Sequence, residues 1–464
     1  MMSLFEKYIK GVRFILPTPF TIAILLTVFT MVFAIILPWE NNSDNYNDLG
    51  EKIIVILNYW NKGLWNINGL AFAIQMMLML LLGYVLALSP IIDKLINKLL
   101  PICKDNAKSA AVICLLTLMV SWFNWGLGLV FGAVFCKKIM QYASEKNISL
   151  NAGLIGAAGY CGLMIWHGGI SGSSLIKITE PGHISSLASE NIKSIVPELI
   201  DFNSTVFSTM NLAITTVLLI ILPFLMYLIG KRVKTEVPKF EVISDSKKTE
   251  KNLIGAEKID HSLITGKIIG ISIFCLCLYL AFQHPSTKSF QFITPDFLNL
   301  TLLGMAIFFH GSIIKFLKAT ENAIGSTVGI LIQFPLYFGI MGMFQSTGII
   351  QDFSEFFQNI SNETTYPIFT FISAGIVNFF VPSGGGQWYI QGPLVIQSAI
   401  EMGIPLNKSI LALAYGDQLT NMMQPFWAIP LLGITGLKAK DILPFTFILM
   451  IVGFMVFTIG LLVF

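Results

Sequence analysis

Charge is scarce in this chain. Only 12% of its 464 residues are Asp, Glu, Lys or Arg, against about 25% in a soluble globular protein. Arginine is scarcer still, with Arg13 and Arg232 the whole complement. A balance of 29 basic against 26 acidic residues gives +3, which is no footprint for nucleic acid. The six cysteines, Cys103, Cys114, Cys136, Cys161, Cys275 and Cys277, form no CxxC pair and no metal-ligand cluster. Five lie in apolar runs and read as small buried hydrophobes. No polar stretch is long enough to build a soluble core of its own.

Apolar residues are abundant, at 55% of the chain. Phe14 to Trp39 carries no charge, enough to cross a hydrocarbon core of about 30 Å. It is longer than a signal-peptide apolar region and more spans follow, so it reads as a retained helix. The expected class is an all-α polytopic membrane protein. Apolar runs fall near 14–38, 68–90, 107–143, 150–178, 205–229, 263–283, 297–317, 323–349, 366–400, 407–437 and 441–463. A charged linker over 230–262 separates a first membrane repeat, 1–229, from a second, 263–464, which carries one extra connecting span.

Loop charge orients these runs. Lys7, Lys10 and Arg13 place the N-terminus in the cytoplasm, and the acidic loop 39–63 outside. Lys94, Lys98 and Lys104 precede the run 107–143, and Lys137, Lys138 and Lys146 end it. Both of its ends are then cytoplasmic, which makes it a re-entrant hairpin. The run 366–400 begins near acidic Asp352, Glu355 and Glu363, and one further span leads to Lys438 and Lys440. It becomes a second hairpin, entering from the opposite face. Superposing Ile148-Ser149-Leu150-Asn151 on Ile404-Pro405-Leu406-Asn407 also sets Gly128 over Gly384 and Gly168-Gly169 over Gln424-Pro425. Two inverted-topology repeats, each with a hairpin and a broken helix, form an architecture of secondary transporters.

The sites follow from the breaks. Irregular backbone at membrane depth is tolerated only where it lines a cavity or is buried in protein. "WFNWG" and "VPSGGG" are the expected hairpin tips, presenting Asn124, Ser383, Gly384, Gly385, Gly386 and Gln387. The first broken span offers His167, Gly168, Gly169 and Ser171; the second offers Asp417, Asn421 and Gln424. Glycine allows bare backbone N–H groups to approach a carboxylate. Broken helices present N-termini to anions. With so little arginine, a carboxylate would be held by helix ends, hydroxyls and amides, Lys177 being the one lysine near a break.

Each residue also has a structural reading. An ionisable side chain inside a span marks function, yet Asp417 could cap or pair at a helix end. His167 suits a proton carrier or a satisfied structural role. Lys177 could snorkel to the interface, and His310 in "FFHGS" reads as structural. Trp166, Trp388, Phe426 and Trp427 could wall a small site or simply pack. Two other classes compete with a carrier. A channel also uses hairpins. The stretch "GISG", with Ser171 as nucleophile and His310 as base, matches the GxSG pattern of rhomboid intramembrane proteases.

The stretches "NWGLGLVFGA", "WHGGISGSSLIKITEPGH", "VPSGGGQWYIQGPLV" and "GDQLTNMMQPFWAIPLLGITGLKAKDI" together resemble the bacterial short-chain fatty acid transporters of the acetoacetate/butyrate permease type. That family is similar to a distant branch of the ion-transporter superfamily. The resemblance implies a non-enzymatic, multi-pass carrier in the cytoplasmic membrane. It implies small monocarboxylates such as acetoacetate and butyrate as substrates, with another small carboxylate as the alternative. No cofactor, metal or nucleic acid is implied beyond a coupling cation, Na+ or H+. Membrane lipid surrounds the protein, and a homodimer is left open.

Overall fold

The computed structural model describes residues 17–36, 49–188, 191–238, 255–283, 294–349 and 359–464, with a few isolated positions outside these. Within the charged linker, 239–254 lie outside the described residues. Helices α1 (Pro19–Ile36), α2 (Leu49–Leu64), α3 (Ile67–Ala87) and α4 (Pro90–Leu99) precede a hairpin of α5 (Asn106–Phe123) and α6 (Trp125–Glu145). A broken segment follows: α7 (Ala152–Tyr160), a 3-10 turn over Cys161–Met164, irregular backbone, then α8 (Ser173–Lys177). Short α9 (His183–Leu187) leads to α10 (Thr209–Gly230). After α11 (Glu257–His261) come α12 (Leu263–Gln283), α13 (Pro295–His310), α14 (Ile313–Ala323) and α15 (Val328–Thr347). A second hairpin, α16 (Tyr366–Asn378) and α17 (Gly384–Glu401), precedes a second broken segment. This comprises α18 (Leu406–Thr420), a 3-10 turn over Asn421–Met423, and α19 (Pro425–Thr435), with α20 (Ala439–Val463) following. Among the described residues, six apolar helical stretches are long enough to cross a membrane. The fold is that of an all-α polytopic membrane protein.

α10 has 22 residues, about 33 Å of helix, and its two ends locate the hairpins. At its C-terminal end, Asn106 Nδ2 donates to Gly230 O at 2.8 Å and Asn151 N donates to Asn106 Oδ1 at 2.8 Å. Leu150 and Glu236 exchange backbone bonds of 2.9 and 3.0 Å beside them. The start of α5, the loop after α6 and the start of the linker therefore meet at one end. α20 packs on α7 there, which adds Lys438 and Lys440 to a cluster holding Lys104, Lys108, Lys146, Lys231 and Lys234. At the opposite end, Asn407 Nδ2 donates to Ser204 O at 2.9 Å, close to Asp201, Glu198 and Glu180. α16 lies along α18 in the same direction, so the second hairpin is based at this other end.

Two differences from the sequence reading have plain causes. The loop 39–63 contains helix α2 from Leu49 onward. Its charges Glu51, Lys52 and Lys62 sit beside a stripe of Ile53, Ile56 and Trp60, and the helix packs along α15. Lys52 Nζ is held by Ile35 O at 2.7 Å. The run 297–317 is two helices, because Gly311 adopts φ +79° after α13, a left-handed closure that suits glycine.

Candidate functional site

Both hairpin tips are built by side-chain caps. Asn124 stands in extended backbone between α5 and α6, and its Oδ1 accepts from Leu127 N at 3.0 Å. Such a cap satisfies one of the free N–H groups that begin a helix. Ser383 does the same for α17, accepting from Gly386 N at 3.2 Å, with Pro382 before it where a helix cannot continue. The first tip docks on the first break. Ile170 N donates to Trp122 O at 2.9 Å, and Trp125 N donates to Ser171 Oγ at 2.9 Å. Asn124, Ser171 and Ser383 thus hold their tips with the oxygens that the sequence offers to a solute.

The two breaks meet at the centre. His167 Nδ1 lies 3.4 Å from Asp417 Oδ2, with the side chains 0% and 1% exposed. Gln418 Oε1 accepts from His167 N at 2.8 Å and from Gly168 N at 3.2 Å. The His167 ring stacks on Trp166, centroids 4.3 Å apart. On its other side, Nε2 meets Ser174 N at 3.3 Å and Ser174 Oγ at 3.1 Å. Asn211 Nδ2 donates to Gly168 O at 2.8 Å, while its Oδ1 accepts from Tyr415 Oη at 2.9 Å. Helix α17 closes the pair from above. A Cβ on Gly384 would lie 2.8 Å from His167 Cε1 and 3.2 Å from Asp417 Oδ2. Gly385, by contrast, would meet only Ser173 Cβ, at 4.0 Å.

A cluster of buried amides continues from Asp417. Asn378 Nδ2 reaches Asp417 O at 2.6 Å, and Thr420 Oγ1 and Asn421 Oδ1 at 2.9 Å each. Gln424 Nε2 donates to Asn378 O. Tyr160 Oη donates to Asn421 O at 2.6 Å, tying α7 to the second break. Gln387 Nε2 donates to Ala374 O at 2.8 Å and to Gln391 Oε1 at 2.7 Å. Among the described residues, seven buried atoms in this region have no further hydrogen-bond partner: Trp166 Nε1, His167 Nδ1, Asp417 Oδ2, Asn378 Oδ1, Gln387 Oε1, Asn421 Nδ2 and Gln424 Oε1. Each such atom in an apolar interior costs about 1–3 kcal/mol. Their concentration at the junction of two breaks and a hairpin makes this junction the candidate site.

All four sequence-identified segments therefore converge. Trp125 links the first tip to both breaks, with ring centroids 5.9 Å from Trp166 and 5.3 Å from Trp427. Asn211, Ser174, Tyr160 and Tyr415 were missed from the candidate set. Each is a polar residue in an apolar run, and that was the available signal. Lys177 pairs with Glu180 at 3.0 Å and is part-exposed. His310 Nε2 bonds Val85 O at 2.8 Å and Ser171 Oγ holds Trp125 N, so each has its own partner elsewhere. A cavity of about 510 Å³ opens at the lysine-rich end between α15 and α19, with Gln333, Ile429, Lys438 and Lys440 in its lining.

Two hairpins and two broken helices around a buried polar centre are features of the secondary-transporter class. More particularly, the chain matches the short chain fatty acid transporter family over residues 2–464 and belongs to it. It is 36% identical over 455 residues to a protein of Haemophilus influenzae, covering 96% of both chains, that is named as a proposed short-chain fatty acid transporter. A protein of Escherichia coli with the same name is 34% identical over 455 residues, covering 97% of this chain and 96% of its own. Among solved structures, Neisseria gonorrhoeae MtrF, of a class of antimetabolite efflux pumps, is 15% identical. It covers 97% of each chain, with a TM-score of 0.43. The Alcanivorax borkumensis YdaH transporter is 13% identical, covering 96% of this chain and 98% of its own, with a TM-score of 0.44.

Proposed function

We propose that this protein carries small monocarboxylates such as acetoacetate and butyrate across the bacterial cytoplasmic membrane, by cation-coupled alternating access. The carrying observation is the buried contact of His167 with Asp417, closed by Gly384 of the second hairpin. Family membership supports the substrate class. The site's chemistry agrees with it. The N-terminal ends of α6 and α17 favour a carboxylate group. Trp125, Trp166 and Trp427 provide an apolar wall for a short alkyl chain.

The bases of the two hairpins, at opposite ends of α10, support the reading of two inverted repeats, 1–229 and 263–464, joined by the linker 230–262. The lysine-rich end is the cytoplasmic one by the charge rule. The cavity beside Lys438 and Lys440 opens on that side. Alternating access then consists of hairpin and break segments moving against α3, α13 and α15. Uptake of labelled acetoacetate and butyrate into proteoliposomes tests this reading, with protein-free vesicles subtracted and sodium and proton gradients imposed separately. Saturable uptake of either acid is the expected result. Uptake no faster than in empty vesicles would sink it.

A further inference from the structure

Resting on the carrier reading, we propose that His167 and Asp417 form the binding site of a coupling proton, so that substrate moves with H+ rather than Na+. The pair is sealed: both side chains are essentially unexposed, 3.4 Å apart. Beyond this contact with each other, neither His167 Nδ1 nor Asp417 Oδ2 has a hydrogen-bond partner. The orientation of the ring is fixed from behind. Ser174 N–H can only donate, and it points at Nε2 from 3.3 Å. The neutral ring therefore carries its proton on Nδ1, the nitrogen that faces the carboxylate. Asp417 is then the group with room for one more proton. A proton from hydronium forms an O–H bond at Oδ2 and leaves water; release is the reverse.

The charge state links this step to movement. With Asp417 ionised, the pair carries one negative charge in a buried site, an expensive arrangement inside a membrane. With Asp417 protonated the pair is neutral, and a carboxylate can be accommodated nearby. Gly384 makes the contact conformation-dependent. It belongs to the hairpin and lies against both His167 and Asp417, so hairpin movement uncovers the pair.

The surroundings offer few competing charges. On the packed elements, Tyr160 and Tyr415 donate hydrogen bonds to Asn421 O and Asn211 Oδ1. Cys161 lies against Cys114. Lys177 is paired with Glu180, while Tyr366, Glu401 and Lys408 sit at the far ends of α16, α17 and α18. The oxygens that could cage a sodium ion are partly occupied: Asn378 Nδ2 lies among Asp417 O, Thr420 Oγ1 and Asn421 Oδ1.

The test is calorimetry of acetoacetate binding to the detergent-purified full chain. It is run sodium-free above pH 7, in two buffers of different ionisation enthalpy, which gives the protons taken up per substrate bound. Wild type is expected to take up a proton. Asp417→Asn is expected to bind without that uptake and to lose accumulation driven by a pH gradient in proteoliposomes, while Asp417→Glu keeps both. Equal proton uptake by wild type and Asp417→Asn overturns the proposal, as does wild-type binding that takes up no proton or requires sodium. Should Asp417→Asn not fold, Asp417→Ala is read in its place in the same two buffers, and proton uptake equal to wild type overturns the assignment. Absence of acetoacetate or butyrate binding and uptake in wild type is a different result, and it overturns the carrier reading itself.

Discussion

Gly384 packs so closely on His167 that a methyl group at its α-carbon would come within 2.8 Å of the imidazole Cε1 and of Trp166 Cη2. This contact joins the second hairpin to the first break, across the centre of the molecule. Both rings are buried and stacked on one another, so neither can swing aside cheaply.

Gly384→Ala is therefore expected to push the hairpin off its seat, at about 1–3 kcal/mol for overpacking. Uptake should fall about tenfold or more, since about 1.4 kcal/mol is a factor of ten. Gly385→Ala adds a methyl in ordinary contact with Ser173 Cβ at 4.0 Å. It should transport near the wild-type rate and unfold no earlier. Parallel uptake and thermal-unfolding measurements decide this. Equal damage from both substitutions would show that the glycines serve flexibility and not docking.

The topology can be read with single cysteines. Cys275 is the exposed native thiol and is first replaced by Ser. Ser149→Cys and Lys234→Cys flank the Leu150–Glu236 bridge and should label from the same face, the cytoplasmic one. Ser204→Cys, beside Asn407 at the other end of α10, should label only from outside. Labelling of Ser149 and Ser204 from one face would remove the basis for opposed hairpins.

A pH effect is expected at His183, the first residue of short α9 and outside the spans. Trp388 Nε1 donates to its Nε2 at 3.0 Å, which requires that nitrogen to be unprotonated. Burial lowers the His183 pKa from its usual value of 6.5; Glu180 opposes this, and Lys177 adds to it. A depressed histidine contributes stability that is complete above the unfolded-state value and is lost as pH falls through the folded one. Thermal stability in detergent should thus drop between pH 7 and pH 5. The lost bond amounts to about 0.5–1.5 kcal/mol. In Trp388→Phe that part of the pH dependence should vanish; an unchanged slope would mean that other groups carry it.

Much of the fold and part of the site could be read from sequence, for identifiable reasons. Asp417 and His167 stand out because ionisable groups are rare in apolar runs, and the tips stand out because glycine, proline and asparagine interrupt them. The docking of Gly384 is invisible in a run of three identical glycines, since only the opposing rings distinguish one from the next. Helix α2 was obscured because Glu51, Lys52 and Lys62 make its polar face look like a loop. Asn211 was hidden as an ordinary polar residue at the start of an apolar helix. Its partners Gly168 and Tyr415 are 43 and 204 residues away, a distance that no local pattern reports.

Asn211 supports the last prediction. It is fully buried and serves three groups. Its Nδ2 donates to Gly168 O at 2.8 Å and to Val206 O at 2.7 Å, and its Oδ1 accepts from Tyr415 Oη at 2.9 Å. The first bond holds the carbonyl next to His167, and the last reaches the helix that carries Asp417. Asn211→Ala removes all three partners and leaves a cavity, so it should destabilise by about 2 kcal/mol or more, each orphaned buried group costing about 1–3 kcal/mol. Asn211→Asp keeps the shape and can still accept from Tyr415, but it loses both donors and adds a buried charge, so it should be as damaging or worse. Tyr415→Phe leaves the two donor bonds intact and orphans only Asn211 Oδ1, so it should cost less than either. Thermal unfolding of the three variants in one detergent gives the order. If Tyr415→Phe is the most harmful, Asn211 is a bystander to ring packing between Tyr415 and Phe457, whose centroids lie 4.8 Å apart, and the amide bridge does not organise the break.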